Sequence, residues 1–309
     1  MKSLIKKIFL PVIFACTFIH NAIGRIYNVP LLVLDMDNYS EVLPKHFRAT
    51  YTSLPEDCEA LGYEELRLIG SGQFSLTALQ TIVKKLGKQP LAIIDLRQES
   101  HGFINGSAIS WYGKHNAANA GKPRQAIIRS EKQLLKQLKA KTQQTIWHIQ
   151  CKTADQTITK AQADKIKIAD VYTEAQLAKR LNLTYKRFYI EDFHAPSNNE
   201  VQRFVRYYAM LPKNAWLYFH CRAGVGRTTT FMAMVDMLKN AKRLSFESIL
   251  HRQHALGGKA LALMPDKSDY KYIYAKQRLK FLRRFYAYAK IYSPNGPTWH
   301  QWRKTNQTH

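Results

Sequence analysis

The chain has 309 residues, of which 46% are hydrophobic and 22% charged, a composition typical of a folded globular protein and not of a disordered one. This length supports one sizeable α/β core with room for a small inserted subdomain. Lys and Arg outnumber Asp and Glu by 47 to 22, and the formal net charge of +25 predicts an anionic partner. No zinc-ligand pattern, basic helix ahead of heptads or RNA-binding signature accompanies the charge, which argues against nucleic acid.

The first residues have the order of an export signal. Three lysines precede an apolar run over residues 8–19, and small residues near its end suit cleavage after Gly24. The run is shorter than the roughly 20 residues that a membrane-spanning helix needs. We therefore predict a cleaved signal peptide over residues 1–24 and no stable membrane insertion. A retained anchor and a buried first helix are the alternatives.

Cleavage would remove the three lysines and lower the formal charge from +25 to +22. The exported protein would reach the periplasm or the medium, or alternatively a host cell. It would keep three cysteines, Cys58, Cys151 and Cys221, so at least one thiol is free. A bridge between Cys58 and Cys151 is the pairing that would spare Cys221, and nothing in the sequence decides whether it forms.

The first half of the chain changes character several times. Residues 25–60 predict irregular structure punctuated by prolines, and residues 76–86 predict a helix. A strand over residues 91–94 then leads into a polar loop at residues 95–102. From about 117 to 172 the chain is polar and lysine-rich with short β-like pieces, and we predict the small inserted β subdomain there.

The second half predicts two capped helices and then a strand, a loop and a helix in direct succession. Thr173 and Gln176 form a capping box, and Ser197 with Glu200 predicts a second one. An apolar strand over residues 216–219 runs into a glycine-containing loop, and a helix follows at once. This succession is typical of phosphate-binding sites.

The loop after that strand has the residue types that phosphate chemistry requires. Cys221 and Arg227 stand six positions apart, and the glycines between them allow backbone amides to turn inward around one phosphate. The guanidinium of Arg227 matches two phosphate oxygens. The helix N-terminus favours both a dianion and a thiolate, so Cys221 is the predicted nucleophile. The predicted phosphate cradle consists of Arg222, Ala223, Gly224, Val225 and Gly226.

A buried structural cysteine is the alternative interpretation of Cys221, and the flanking residues argue against it. A phosphatase also needs an acid for the leaving oxygen. Asp192 lies 29 residues before Cys221, in a loop ahead of a capped helix, and is the predicted general acid, with Glu191 its nearest rival. Thr228 is predicted to hydrogen-bond the sulfur. The predicted supporting residues are His220, Asp95 and His194.

Together these residues resemble the protein-tyrosine-phosphatase superfamily, and within it the cysteine phytases, which are tyrosine-phosphatase-like inositol polyphosphatases of bacteria. The likeness rests on residues 43–48, residues 95–112, Asp192 followed by Pro196, and residues 220–230. These stretches occur in the family's order and spacing, so the resemblance is specific.

The resemblance covers roughly residues 40–290 and implies a tyrosine-phosphatase-like α/β core, a central mixed sheet flanked by helices, with a small inserted partial β-barrel. It also implies stepwise removal of phosphates from myo-inositol hexakisphosphate, with no metal and no other cofactor. Cys221, Arg227 and Asp192 match the family's nucleophile, phosphate clamp and general acid. The implied substrate contacts are Arg48, Lys271 and Arg278.

Two positions depart from the family pattern. Arg222 stands where the family often has an acidic residue, which predicts a more basic cradle, and Ala275 replaces an aromatic residue near the C-terminal basic pair. The order and position of phosphate removal therefore stay open.

We predict an inositol polyphosphatase from these features. The alternative enzyme is a phosphotyrosine or phosphoinositide phosphatase that acts as an exported effector. A polyanion-binding module without catalysis is disfavoured, because Cys221, Arg227 and Asp192 are all present. The sequence does not predict an oligomeric state.

Overall fold

The computed structural model describes residues 30–39 and 41–306. The predicted signal peptide lies outside the described residues. No helix in the described part of the chain is both long enough and apolar enough to span a membrane.

The described residues form eleven strands and eight α-helices. The strands are β1 (Leu31–Met36), β2 (Arg48–Ala49), β3 (Leu68–Ser71), β4 (Leu91–Asp95), β5 (His101–Ile104), β6 (Ser107–Tyr112), β7 (Gln143–Lys152), β8 (Ile158–Lys167), β9 (Val171–Tyr172), β10 (Thr184–Arg187) and β11 (Trp216–His220). The helices are α1 (Leu76–Leu86), α2 (Arg124–Lys139), α3 (Glu174–Arg180), α4 (Asn198–Ala209), α5 (Gly226–Asn240), α6 (Phe246–Ala255), α7 (Tyr272–Ile291) and α8 (Trp299–Thr305).

A five-stranded mixed sheet carries the Cys221 loop. Its order is β10-β4-β11-β3-β2, with β2 antiparallel to its neighbour and the other four strands parallel. Parallel strands end at the same edge, and the register places His220 beside both Asp95 and Ser71. Helix α5 runs back from this edge and packs against β3, β11, α6 and α7. Its residues are buried on almost every side, so its apolar residues show no single-faced pattern.

Most of the predicted elements are present. The structure confirms the helix at residues 76–86 and the strand that precedes the polar loop, and Thr173 with Gln176 forms a reciprocal capping box. The second predicted box is wrong in one half. Ser197 caps α4, but the carboxylate of Glu200 accepts from the backbone NH of Tyr189 at 3.1 Å and pairs with Arg203 at 2.6 Å.

A second, six-stranded sheet has the order β8-β7-β1-β6-β5-β9. Strand β1 corrects the prediction of irregular structure over residues 25–60, because it pairs with β6 along its length and buries Val33 completely. The predicted insertion at about 117–172 contains β7, β8 and β9, whereas β1, β5 and β6 precede it. The limits of a separate subdomain, and its barrel character, stay predictions.

The three cysteines in the described residues are free thiols. Cys58 is buried and Cys151 is exposed, so the bridge left open by the sequence is not formed.

Candidate active site

The backbone of the Cys221 loop requires glycine at one position. Gly224 has a φ of 78°, and a Cβ there would lie 2.2 Å from the backbone nitrogen of Gly72. Any side chain would therefore be excluded by main-chain atoms that cannot swing away. The backbone NH of Gly224 donates to Cys221 Sγ at 3.2 Å, so the same turn that needs glycine also stabilises the sulfur.

Cys221, the predicted nucleophile, lies in a buried environment with hydrogen-bond donors near its sulfur. The thiol lies at the end of β11 and is 2% exposed. The hydroxyl of Thr228, in the first turn of α5, lies 3.3 Å from Sγ. Thr228 is thus placed where it can donate to the sulfur, as its sequence position suggested.

Arg227 is fully buried beside the loop. Its two terminal nitrogens donate to the carboxylate of Glu99 at 2.7 and 3.0 Å, and one of them lies 3.2 Å from Asp192 Oδ1. Burial alone would lower the pKa of this guanidinium, but Asp192 and Glu99 hold that pKa well above its ordinary value. Among the described residues, Nε of Arg227 is buried and has no hydrogen-bond partner.

Glu99 connects Arg227 to Asp192 through hydrogen bonds, a connection that sequence reasoning missed. Besides Arg227, its carboxylate accepts from Arg97 Nε and from Asn116 Nδ2, both at 2.9 Å. Asn116 donates in turn to Asp192 Oδ2 at 3.1 Å. The signal available in the sequence was only that Glu99 belongs to the polar loop after a buried strand.

Asp192 faces the same cavity as Cys221. The backbone NH of Phe193, which has a φ of 66°, donates to Asp192 Oδ1 at 3.0 Å. The ring of His194 lies 2.8 Å from the backbone oxygen of Asp192 and packs on Tyr274 at 4.4 Å between ring centroids. His194 therefore packs between Tyr274 and the loop that carries Asp192. Glu191, the rival acid, is not among the described residues that line the cavity.

The cavity above Cys221 has a volume of about 410 Å³, within the usual range of small-ligand sites. Its walls carry two carboxylates, those of Asp192 and Asp269, and a larger number of cations. The Lys and Arg residues that line it are Lys152, Arg222, Lys259, Lys271 and Arg278. A site of this charge attracts anions.

Arg222 lines the cavity, but its charge is partly compensated. Its Nε donates to Asp35 Oδ1 at 2.7 Å, and its guanidinium lies 4.8 Å from the ring centroid of Tyr112. Burial would raise the pKa of Asp35, but Arg97 and Arg222 lower it below its ordinary value, so this carboxylate stays charged. Asp35 also pairs with Arg97 at 2.9 Å, so it offsets only part of the charge of Arg222, and a more basic cradle stays a prediction.

Arg48 lies beneath the loop and not in the cavity. It is buried, and it donates to the backbone oxygen of Gly224 and to the hydroxyl of Thr229, both at 2.9 Å. In this position Arg48 supports the loop from behind, which corrects its expected place among the substrate contacts. Lys271 and Arg278, by contrast, both reach the cavity wall. Arg278 lies directly over the loop, because a Cβ on Gly226 would be 2.7 Å from its guanidinium.

Two cavity lysines were missed by sequence reasoning. Lys152 ends β7, and its ammonium lies 3.9 Å from the ring centroid of Tyr112. Burial, and then the charge of Arg222, lower the pKa of Lys152 to about 8. Lys259 follows α6. Neither lysine belongs to a local motif, so no sequence signal separated them from the other lysines.

A buried ionic network supports the sheet edge behind the loop. His220 lies 2.6 Å from the carboxylate of Glu174, and Asp95 accepts from the backbone NH of Arg97 at 2.8 Å. His101 lies 3.2 Å from Asp95. Asp95 and His220 therefore occupy supporting positions outside the cavity.

Two groups of described residues have side chains that could hold a metal ion, and the ligand atoms of each group lie within 4.8 Å of one another. They are Asp57 with Cys58 and His251, and Asp95 with His101 and Glu174. Neither group contributes to the lining of the Cys221 cavity.

A parallel sheet edge that presents a cysteine loop, a buried arginine and an acid-bearing loop defines a tyrosine-phosphatase-like protein. A family model for PTP-like phytases matches residues 94–239, and the description of this family names inositol hexakisphosphate. A PTP-like phytase from Bdellovibrio bacteriovorus is 36% identical in its solved structure, with a TM-score of 0.71 over 89% of this chain and 94% of that one. The chain belongs to the PTP-like phytase family.

Two further relatives are longer than this chain. The tandemly repeated PTP-like phytase from Mitsuokella multacida is 32% identical, with a TM-score of 0.79 over 90% of this chain and 49% of that one. The Mitsuokella PTP-like myo-inositol phosphatase has also been solved in complex with myo-inositol-(1,3,4,5)-tetrakisphosphate. Effector protein hopD2 of Pseudomonas syringae pv. tomato is 33% identical over 84% of this chain and 58% of its own length. The chain thus spans about half the length of these two relatives.

Proposed function

We propose that the protein hydrolyses phosphate monoesters of myo-inositol hexakisphosphate and lower inositol polyphosphates through a phosphocysteine intermediate, without a metal. The observation that carries this proposal is that Cys221 and Asp192 share one cavity with five Lys and Arg side chains. The nucleophile and the acid supply the chemistry, and the excess of cations favours a substrate with several phosphates.

In the first step, Cys221 Sγ attacks the phosphorus of a phosphate seated in the loop. The P–S bond forms as the bond between phosphorus and the ester oxygen breaks. Asp192 gives its proton to this oxygen, which leaves with the inositol ring as a hydroxyl group. Arg227 stabilises charge on the transferring phosphoryl group. Asn116 holds the carboxyl group of Asp192 at 3.1 Å.

In the second step, a water molecule attacks the phosphorus of the phosphocysteine. Asp192, now a carboxylate, takes a proton from this water as the P–S bond breaks and inorganic phosphate forms. The sulfur leaves as a thiolate, and the hydroxyl of Thr228, 3.3 Å away, donates to it. The NH of Gly224 provides a second hydrogen bond to the sulfur.

Similarity to effector protein hopD2 supports a second candidate, a phosphotyrosine or phosphoinositide phosphatase delivered to a host cell. Both candidates use the same loop chemistry and differ in the molecule that fills the cavity. Export is a separate part of the proposal, in which cleavage of the predicted signal gives a mature N-terminus near Arg25. N-terminal sequencing of the protein recovered outside the cytoplasm tests this part.

One experiment separates the candidates. Phosphate release is measured from inositol hexakisphosphate, from a phosphotyrosine peptide and from phosphoinositide vesicles, with EDTA present, for the wild type and for Cys221→Ser. The proposal expects turnover of the inositol phosphate by the wild type and none by the variant. Turnover of the peptide or the vesicles with none of the inositol phosphate would transfer the proposal to the second candidate.

A further inference from the structure

Lys259 is anchored to the helix that follows the catalytic loop. Its backbone NH donates to the hydroxyl of Thr229 at 3.0 Å, and that hydroxyl donates to the backbone oxygen of Val225 at 2.6 Å. The preceding residue, Gly258, allows this approach, because a Cβ there would lie 2.8 Å from Thr229 Cγ2 and 2.3 Å from a backbone oxygen. The position of Lys259 is therefore coupled to the loop that binds the phosphate.

The side chain of Lys259 lies among like charges. It lines the Cys221 cavity together with Lys271 and Arg278. Burial, and then the charges of Arg278 and Lys271, lower the pKa of Lys259, whereas Asp269 raises it. Within residues 41–306, no hydrogen bond or ion pair joins the ammonium of Lys259 or the guanidinium of Arg278 to a protein acceptor. These three cations line one cavity and outnumber the two carboxylates near them, Asp192 and Asp269, so an anion that binds between the cations stabilises the group.

We propose that Lys259 is a specificity-determining residue that completes, with Lys271 and Arg278, a subsite for a second phosphate of the substrate. Arg278 lies over Gly226 of the catalytic loop, so this subsite adjoins the phosphate that is attacked. A substrate with one phosphate occupies the loop and leaves the subsite empty. The inference rests on the proposed function, since an inositol polyphosphate is the ligand that occupies both places.

The test compares Lys259→Met with Lys259→Arg, and uses Lys267→Met as the control, because Lys267 is exposed on the same connecting segment outside the cavity. Steady-state kinetics are measured with inositol hexakisphosphate and with p-nitrophenyl phosphate. Lys259→Met is expected to lower the ratio of the two kcat/KM values about tenfold, equal to about 1.4 kcal/mol. The loss should fall on KM for the inositol phosphate and should be largely restored in Lys259→Arg.

Binding without turnover separates this inference from the proposed function. Calorimetry with inositol hexakisphosphate is performed in the Cys221→Ser background, with and without Lys259→Met. Weaker binding in the double variant supports the subsite even if the wild type fails to hydrolyse this ligand, a result that would defeat only the proposed function. Equal binding in both proteins, no binding in either, or an equal loss of activity on both substrates would overturn the role of Lys259.

Discussion

Replacing Glu99 with Gln tests whether this buried carboxylate positions the catalytic groups. Glu99 accepts hydrogen bonds from Arg227, Arg97 and Asn116 at 2.7–3.0 Å. Gln has almost the same shape, but its amide nitrogen is a donor and would face a donor of a guanidinium. One of the two contacts with Arg227 is therefore lost, and Asp192 is left as the carboxylate partner of the buried charge of Arg227.

Glu99 and Arg227 are both buried, so the loss of this carboxylate should lower both stability and kcat. Removing one partner of a buried ion pair costs about 3–5 kcal/mol, because the other charge stays in a medium of low dielectric constant. We expect Glu99→Gln to lower the free energy of unfolding by that amount. Displacement of Arg227, and of Asp192 through Asn116, should also reduce kcat about 100-fold, as expected for catalytic groups shifted by about 1 Å.

The measurements are urea unfolding and steady-state kinetics at a temperature where the variant remains folded. Glu131→Gln is the matched control, because Glu131 forms a buried ion pair with Arg187 at 2.8 Å and neither residue lines the cavity. The control should lose stability and keep most of its kcat. If folded Glu99→Gln has the kcat of the wild type, Glu99 does not position the catalytic groups.

Three more predictions follow from the site and its support. Asp192→Asn should slow release of a poor leaving group, an inositol alcohol, by about 10²- to 10⁴-fold and that of p-nitrophenol much less, whereas equal losses would indicate another acid. Gly224→Ala should abolish activity, because its Cβ would lie 2.2 Å from a backbone nitrogen. Gly87→Ala is the control, because Gly87 also has a positive φ, 63°, but has open space around the added atom. This variant should lose about 1 kcal/mol of stability and keep its activity. Similar activities for the two variants would contradict this reasoning. Burial alone would lower the pKa of His101, but Asp95 raises it from 6.5 to about 9. Protonated His101 therefore stabilises the fold fully below pH 6.5, and on the order of 3 kcal/mol should be lost as the pH rises to about 9. Urea unfolding across this range should show the decline, and His101→Gln should flatten it; an unchanged decline would assign it to another group.

The prediction of the fold succeeded where the pattern was local. Helix α1, strand β4 and the capping box at Thr173 each depend on residues that are close together in the sequence, and all three are present. Strand β1 was missed because its short apolar run lies between prolines and is stabilised by β6, which is more than 70 positions away in the chain. Pairing over such distances leaves no periodic signal in either segment.

The sequence by itself determined the catalytic loop. Cys221, Gly224 and Arg227 lie within seven consecutive residues between a strand and a helix, so local backbone geometry alone brings the predicted nucleophile, the turn and the predicted clamp together. Asp192 was predicted as the general acid from its position 29 residues before Cys221 and ahead of a capped helix, and it lines the same cavity as Cys221, while its role stays a prediction.

Only the tertiary structure decided what surrounds the loop. Arg222 is adjacent to the nucleophile in sequence, but its partner Asp35 is 187 residues away, and that ion pair changes the charge presented to a substrate. Arg48 lies beneath the loop, and Lys259 lines the cavity. The physical reason is that electrostatic interactions depend on distances in space, and those distances are set by how the two sheets and α7 pack around Cys221.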